Sequence, residues 1–220
     1  MKTAIILGAT GLTGSILLEK LLEDKRYSKL KLFSRSSTGI KNEKIEEHLV
    51  DLLKLDNHES DFTGDEVFCC IGTTQAKTPD DETYHKIDYG IPVTAAKLAK
   101  KNNIENFMVI SSLGADVKSK FFYNRTKGEM ERDVLAQKIP HTYIFQPSLI
   151  GGKREEKRPF EAAWKRIMSV GDHLLVGPLK KYRSIHPAAI ADAMIYVANH
   201  KYAAVRIESG EIREIAESYR

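Results

Sequence analysis

Little in this sequence would tie the chain together covalently or draw it to a strongly charged partner. Its only cysteines, Cys69 and Cys70, are neighbours. Adjacent residues of a strand point to opposite faces, so a disulfide between them would be strained. They read as two small apolar residues of a buried strand, with a redox pair as the alternative. There is no disulfide framework and no metal-ligand spacing, so a reducing compartment is expected and a metal site is not. Net charge is scarce too: 34 basic residues meet 30 acidic ones, leaving +4. That balance makes no footprint for nucleic acid. Long apolar runs are absent, none approaching the roughly 20 residues that span a bilayer. Glycine and threonine break the first apolar stretch at once, so it lacks the core of a signal peptide. The expectation is a cytoplasmic protein with neither a membrane nor a nucleic-acid partner.

What is present suits one α/β domain. The 220 residues can bury a substantial core, and 42% hydrophobic with 29% charged content is that of an ordinary globular protein. Short apolar runs predict strands at 3–7, 30–33, 45–50, 66–71, 107–110 and 142–145. Helical spacing fills the gaps, through Ile16, Leu17, Leu21 and Leu22, then over about 89–102 and 120–137. Such alternation argues for a Rossmann-type, doubly wound parallel sheet with right-handed crossovers. Beyond Pro147 the pattern weakens. A charged stretch, 153–158, precedes an amphipathic helix to about Val170, another helix over 187–199 and a last strand near 205–207. The expectation is a single domain, with 1–146 as dinucleotide-binding core and 147–220 as a small substrate-side extension.

Directly after the first predicted strand stands Gly8-Ala-Thr10-Gly11-Leu12-Thr13-Gly14. In a dinucleotide-binding turn one glycine permits the tight bend, one lets the backbone approach a pyrophosphate, and one lets helix pack on strand. The phosphates then meet free amides at the helix N-terminus. An acidic residue about 20 positions on would normally hold the adenine ribose of NAD. Here the second strand ends Ser34-Arg35-Ser36 instead. A guanidinium and two hydroxyls suit a 2′-phosphate, which favours NADP(H) over NAD(H); otherwise Arg35 is a solvated strand-end charge. Asp51 and Leu52 stand where adenine would lie, and Gly72, Thr73 and Thr74 where the chain would pass beneath the cofactor.

The fifth predicted strand ends in Ser111-Ser112, and the next helix carries Tyr123 and Lys127, four apart on one face. A free phenol titrates near 10, too high for efficient acid–base work at neutral pH. A nearby ammonium, together with an oxidised nicotinamide, favours the phenolate. Tyr123 is then the acid/base, Lys127 its partner and a ligand for the nicotinamide ribose, and a serine hydroxyl the holder of the substrate oxygen.

Together the glycine turn, Ser112, Tyr123 and Lys127 resemble the short-chain dehydrogenase/reductase superfamily in its extended or atypical branch. More narrowly, Phe68-Cys-Cys-Ile-Gly-Thr-Thr74, Ser111-Ser-Leu-Gly-Ala-Asp116, Lys127-Gly-Glu129 and Gln146-Pro-Ser-Leu149 are similar to the Tat-interacting-protein-like oxidoreductases, bacterial members included. The resemblance runs from residue 1 to about 160. It implies a Rossmann fold, NADP(H) binding with Ser111 and Pro147 beside the cofactor, and reductase, dehydrogenase or epimerase chemistry, with Ser112 rather than Ser111 as the catalytic serine. It also raises a protein partner, which no other feature of the sequence supports. Ten residues separate Ser112 from Tyr123, fewer than in typical sugar-nucleotide epimerases, which leaves less loop for a substrate pocket, and the short region after Pro147 puts a bulky nucleotide-sugar substrate in doubt. The reading is an NADP(H)-dependent oxidoreductase acting on a carbonyl or secondary alcohol of a small molecule. A non-enzymatic NADP(H) sensor and an epimerase or dehydratase are its rivals. His186, the basic residues 153–158 and Lys180, Lys181 and Arg183 read as structural or solvated.

Overall fold

The structure, a computed structural model, describes residues 1–151 and 183–219. The helix expected to about Val170, and Lys153, Arg154, Lys157, Arg158, Lys180 and Lys181, lie outside the described residues. Seven described strands form one sheet: β1 Lys2–Leu7, β2 Tyr27–Ser34, β3 Ile45–Leu49, β4 Glu66–Cys69, β5 Asn106–Ile110, β6 His141–Gln146 and β7 Arg206–Glu208. Their order is β3-β2-β1-β4-β5-β6-β7, and every neighbouring pair is parallel. The fold is therefore Rossmann-type, and the order reverses between β1 and β4.

β1 shows why its sequence is uniformly apolar. Ala4 and Ile6 enter the core under helices α1 (Leu12–Glu23), α5 (Pro187–Asn199) and α6 (Ser209–Tyr219). Ile5 and Leu7 enter the core on the opposite face, under α3 (Ile91–Lys101) and α4 (Phe122–Leu135). A sheet covered on both sides needs apolar residues at both parities. Each fully buried Leu or Ile contributes about 1.5–3 kcal/mol over its exposed state.

Most element ends moved by a few residues, and one shift has consequences. Helix was expected from about 89, but it begins at α2 (Asp81–His85), capped by the Asp80 carboxylate accepting from the Thr83 N–H at 2.8 Å. A π-helical turn, Lys86–Gly90, joins α2 to α3. Pro92 follows it, and proline lacks the N–H that would bond the carbonyl of Asp88 four residues back. Widening the helix ahead of Pro92 accommodates that missing bond. The widened turn also places Asp88 in full burial. At the C-terminus, α5 packs beside α1, β7 pairs with β6, and α6 covers the same face. The described part of 147–220 thus extends the sheet and its helical layer. α6 was not anticipated, because β7 runs into it with no turn residue between Glu208 and Ser209.

Candidate functional site

A parallel sheet brings the C-terminal ends of all its strands to one edge, and the crevice at the order reversal is where such folds take ligands. Here that crevice lies between the Gly8 turn and the end of β4. Gly8 has a φ of +84°, a conformation side chains resist, and a Cβ on it would stand 2.8 Å from the Cys70 carbonyl oxygen. A Cβ on Gly14 would meet the Gly8 carbonyl oxygen at 2.0 Å, so only glycine lets α1 sit this close to the turn. Gly11 caps α1 with no side-chain hydrogen bond, and the first turn carries no acidic residue. Those amides and the helix dipole are thus open to an anion. Thr10 and Gly11 are exposed, Leu12 is half-buried, and Thr13 turns inward.

Next along the edge, the two serines follow directly on the end of β5. The Ser111 hydroxyl donates inward to Glu131 Oε1 at 2.5 Å, which also accepts from Gln146 Nε2 at 2.8 Å. Arg206 Nε donates to the other oxygen at 2.7 Å. Ser112 is buried as well, yet its hydroxyl has no partner among the described residues. Leaving a buried hydroxyl unpaired costs about 1–3 kcal/mol, and the Tyr84 hydroxyl is likewise buried without a partner among the described residues. Pro147, on the adjacent strand end, accepts from the Leu113 N–H at 2.9 Å and fixes the chain just past Ser112.

α4 presents Tyr123 partly exposed and Lys127 buried. The Lys127 ammonium pairs with Asp88 Oδ1 at 2.8 Å, and Asp88 Oδ2 accepts from the Thr73 N–H at 2.8 Å. Gly72 lies over this pair: a Cβ there would be 3.7 Å from Asp88 Oδ1 and 3.9 Å from Lys127 Nζ. Burial pulls the Lys127 pKa down, but Asp88, and then Tyr123, outweigh it and hold it above the ordinary lysine value. Tyr84 of α2 is fully buried beside Asp88 and meets the Tyr123 ring edge-on, centroids 6.4 Å apart. Burial first, then Asp88, pushes its hydroxyl strongly upward. Tyr84 and Asp88 escaped the sequence reading. Their spacing of four mirrors Tyr123 and Lys127, but only the packing of the π-helical turn on α4 shows that they meet.

The adenine-side candidates fall into place differently. Ser34 is buried and donates to the Ser36 carbonyl oxygen at 2.8 Å, while Arg35 and Ser36 are exposed at the strand end. Asp51 accepts from the Leu53 N–H at 3.0 Å, capping a short 3-10 helix, and Leu52 packs in the core. Thr73 and Thr78 hydroxyls meet at 2.9 Å, bracing the loop after β4. Burial holds the Cys69 thiol up at about 11 and pushes Cys70 higher, so neither carries a reactive thiolate. His186 Nδ1 accepts from the Ala188 N–H at 3.2 Å and caps α5. Among the described residues no group of acidic, histidine or cysteine side chains could hold a metal.

The glycine cradle, open amides and unpartnered serine fit a dinucleotide, and they define the class: a Rossmann-type nucleotide-binding protein. The chain belongs to the NAD(P)H-binding family, whose model matches residues 8–201. The rat protein HTATIP2 is 36% identical over 164 residues, covering 73% of this chain and 67% of its own. Protein FMP52 of Meyerozyma guilliermondii, named mitochondrial, is 32% identical over 229 residues, covering 98% of this chain and 96% of its own. Among solved structures, the Bordetella bronchiseptica enzyme WbmH in complex with NAD+ superposes with TM-score 0.70 at 19% identity, covering 99% of this chain and 80% of that one. MoeE5 in complex with UDP-glucose and NAD gives 0.68 at 15%, covering 98% and 81%. At that identity the likeness is one of fold. No described helix is long and apolar enough to cross a membrane.

Proposed function

We propose that this protein is an NADP(H)-dependent oxidoreductase that interconverts a carbonyl and a secondary alcohol on a small molecule. The observation that carries the reading is the buried, unpartnered Ser112 hydroxyl just past the end of β5, with Tyr123 and Lys127 on the helix that follows. When bound, the dinucleotide supplies or accepts a hydride. The chain's own residues do the rest. Ser112 donates to the substrate oxygen and fixes its direction, and Tyr123 exchanges a proton with that oxygen. Lys127 sets the charge around the phenol and would bind ribose hydroxyls of the dinucleotide. NADP(H) is preferred over NAD(H) because exposed Arg35 stands at the end of β2, where a 2′-phosphate is bound in this fold. Both cysteines are free, in keeping with the cytoplasm as the proposed compartment.

A panel of aldehydes, ketones and secondary alcohols, followed by NADPH absorbance, tests the reading. Tyr123→Phe is expected to cut turnover by about 10²–10⁴-fold, the usual contribution of a positioned acid–base group, while leaving NADPH affinity within a few-fold. Unchanged turnover in that variant overturns the mechanism. Tight NADPH binding without turnover on any panel member supports a cofactor sensor instead.

A further inference from the structure

The proposed chemistry can run either way, and the charges around Tyr123 bear on which way the site favours. α4 carries Tyr123 and Lys127, the π-helical turn carries Asp88, α2 carries Tyr84, and β4 ends in Cys69. Lys127 is the cation of this group and Asp88 its anion, in contact at 2.8 Å with both side chains almost wholly buried. Tyr84 and Cys69 are held protonated by burial. Other ionisable groups on these elements turn elsewhere. His85 meets Glu129 at 3.1 Å, Tyr89 donates to Asp133 at 2.8 Å, and Arg125 donates to the Ser119 carbonyl oxygen at 3.0 Å.

An ammonium that faces a phenol alone stabilises the phenolate, and so favours drawing a proton from an alcohol. An ammonium in contact with a carboxylate is half of a neutral pair, and most of its field at the phenol is cancelled. Oxidation needs Tyr123 as phenolate, whereas reduction needs it as phenol.

We infer that Asp88 is a positioning residue that balances Lys127, keeps Tyr123 in its proton-donating form and so suits the site to carbonyl reduction at neutral pH, with alcohol oxidation moved to higher pH. The inference rests on the Ser112–Tyr123–Lys127 reading given above. In the favoured direction the carbonyl carbon gains the hydride as the C=O π bond opens, and the oxygen takes the Tyr123 proton. The products are an alcohol and the oxidised dinucleotide, and the phenolate left on Tyr123 recovers its proton from solvent. The Thr73 N–H on the second Asp88 oxygen fixes the carboxylate, so the balance is built into the loop beneath the cofactor.

The test uses the full chain without cofactor, so it does not depend on finding a substrate. Near-ultraviolet phenolate absorbance is titrated in the parent protein, Tyr123→Phe, Asp88→Asn and the Asp88→Asn/Tyr123→Phe double variant. Subtracting the Phe partners isolates the Tyr123 signal on each background. The Tyr123 signal is expected about one pH unit or more lower in Asp88→Asn than in the parent. Phenolate present at neutral pH in the parent overturns the inference. So does an unmoved or upward-moved signal in Asp88→Asn, as would follow if Lys127 shed its own proton once its counterion was gone. Should Asp88→Asn fail to fold, the parent titration alone decides. Once a substrate is in hand, the pH profile of alcohol oxidation should move to lower pH in Asp88→Asn relative to the parent; an unmoved or upward-moved profile overturns the inference. Activity indifferent to Tyr123→Phe, with the titration behaving as expected, would instead count against the earlier mechanism while leaving the charge balance intact.

Discussion

Arg35 owes its setting to its immediate neighbours. Ser34 is pulled inward and bonds the Ser36 carbonyl oxygen, so the chain curls at the end of β2 and leaves Arg35 exposed at the edge where the ribose would lie. A guanidinium there can take a phosphate in a charge-assisted fork. Arg35→Ala is therefore expected to lower the NADPH-over-NADH affinity ratio by roughly tenfold, equivalent to about 1.4 kcal/mol, as read by titration calorimetry with both dinucleotides. An unchanged ratio removes Arg35 from that role. Gly8, Arg35, Ser112, Tyr123 and Lys127 were all visible in the sequence because each sits in a short local pattern. Asp88 was not. Its partner Lys127 lies 39 residues away along the chain, and the π-helical turn that aims it leaves no periodicity to read.

At the scale of elements, α4 places Tyr123, Lys127 and Glu131 four residues apart in sequence, along one side of the helix. The first two are the proposed acid/base and its partner. Glu131 ties α4 to the ends of β5, β6 and β7 through Ser111, Gln146 and Arg206. It thereby commits the Ser111 hydroxyl inward and leaves Ser112 as the serine with a free one. Glu131→Ala strands the buried Ser111 and Gln146 donors, whereas Arg206, half-exposed, can turn to water. The expected loss is about 1–3 kcal/mol, seen as a lower urea midpoint with an unchanged slope. Glu131→Gln, which keeps the shape and one acceptor oxygen, should lose less. The sequence indicated a helix here but not this tie, since its partners come from three strands separated along the chain.

For the whole molecule, charge pairing sets the response to acid. Asp133 is held down to about 2, by Arg132 first and then by Tyr89. Asp24, Glu46, Glu47 and Asp80 are also lowered by their partners. A carboxylate with a depressed folded-state pKa contributes stability above its unfolded value and loses it as pH falls through the folded one. Glu66 works the other way, raised by burial despite Lys2 and Tyr27, and it partly offsets the loss. The midpoint of thermal unfolding should therefore fall as pH drops from about 5 to about 2, and Asp133→Asn should flatten that slope slightly. Those pairs lie toward solvent, so the effect of any one is small.

The sequence by itself determined the local things: the glycine turn between strand and helix, the apolar strands that demand a doubly covered sheet, and the spacing of Tyr123 and Lys127. Each is fixed by residues within a turn or two of one another, where sterics and periodicity act directly. Only the tertiary structure decided which serine keeps a free hydroxyl and what stands against Lys127. Those outcomes depend on which buried polar groups meet, and that is set by the packing of the π-helical turn on α4 and by the alignment of β5, β6 and β7.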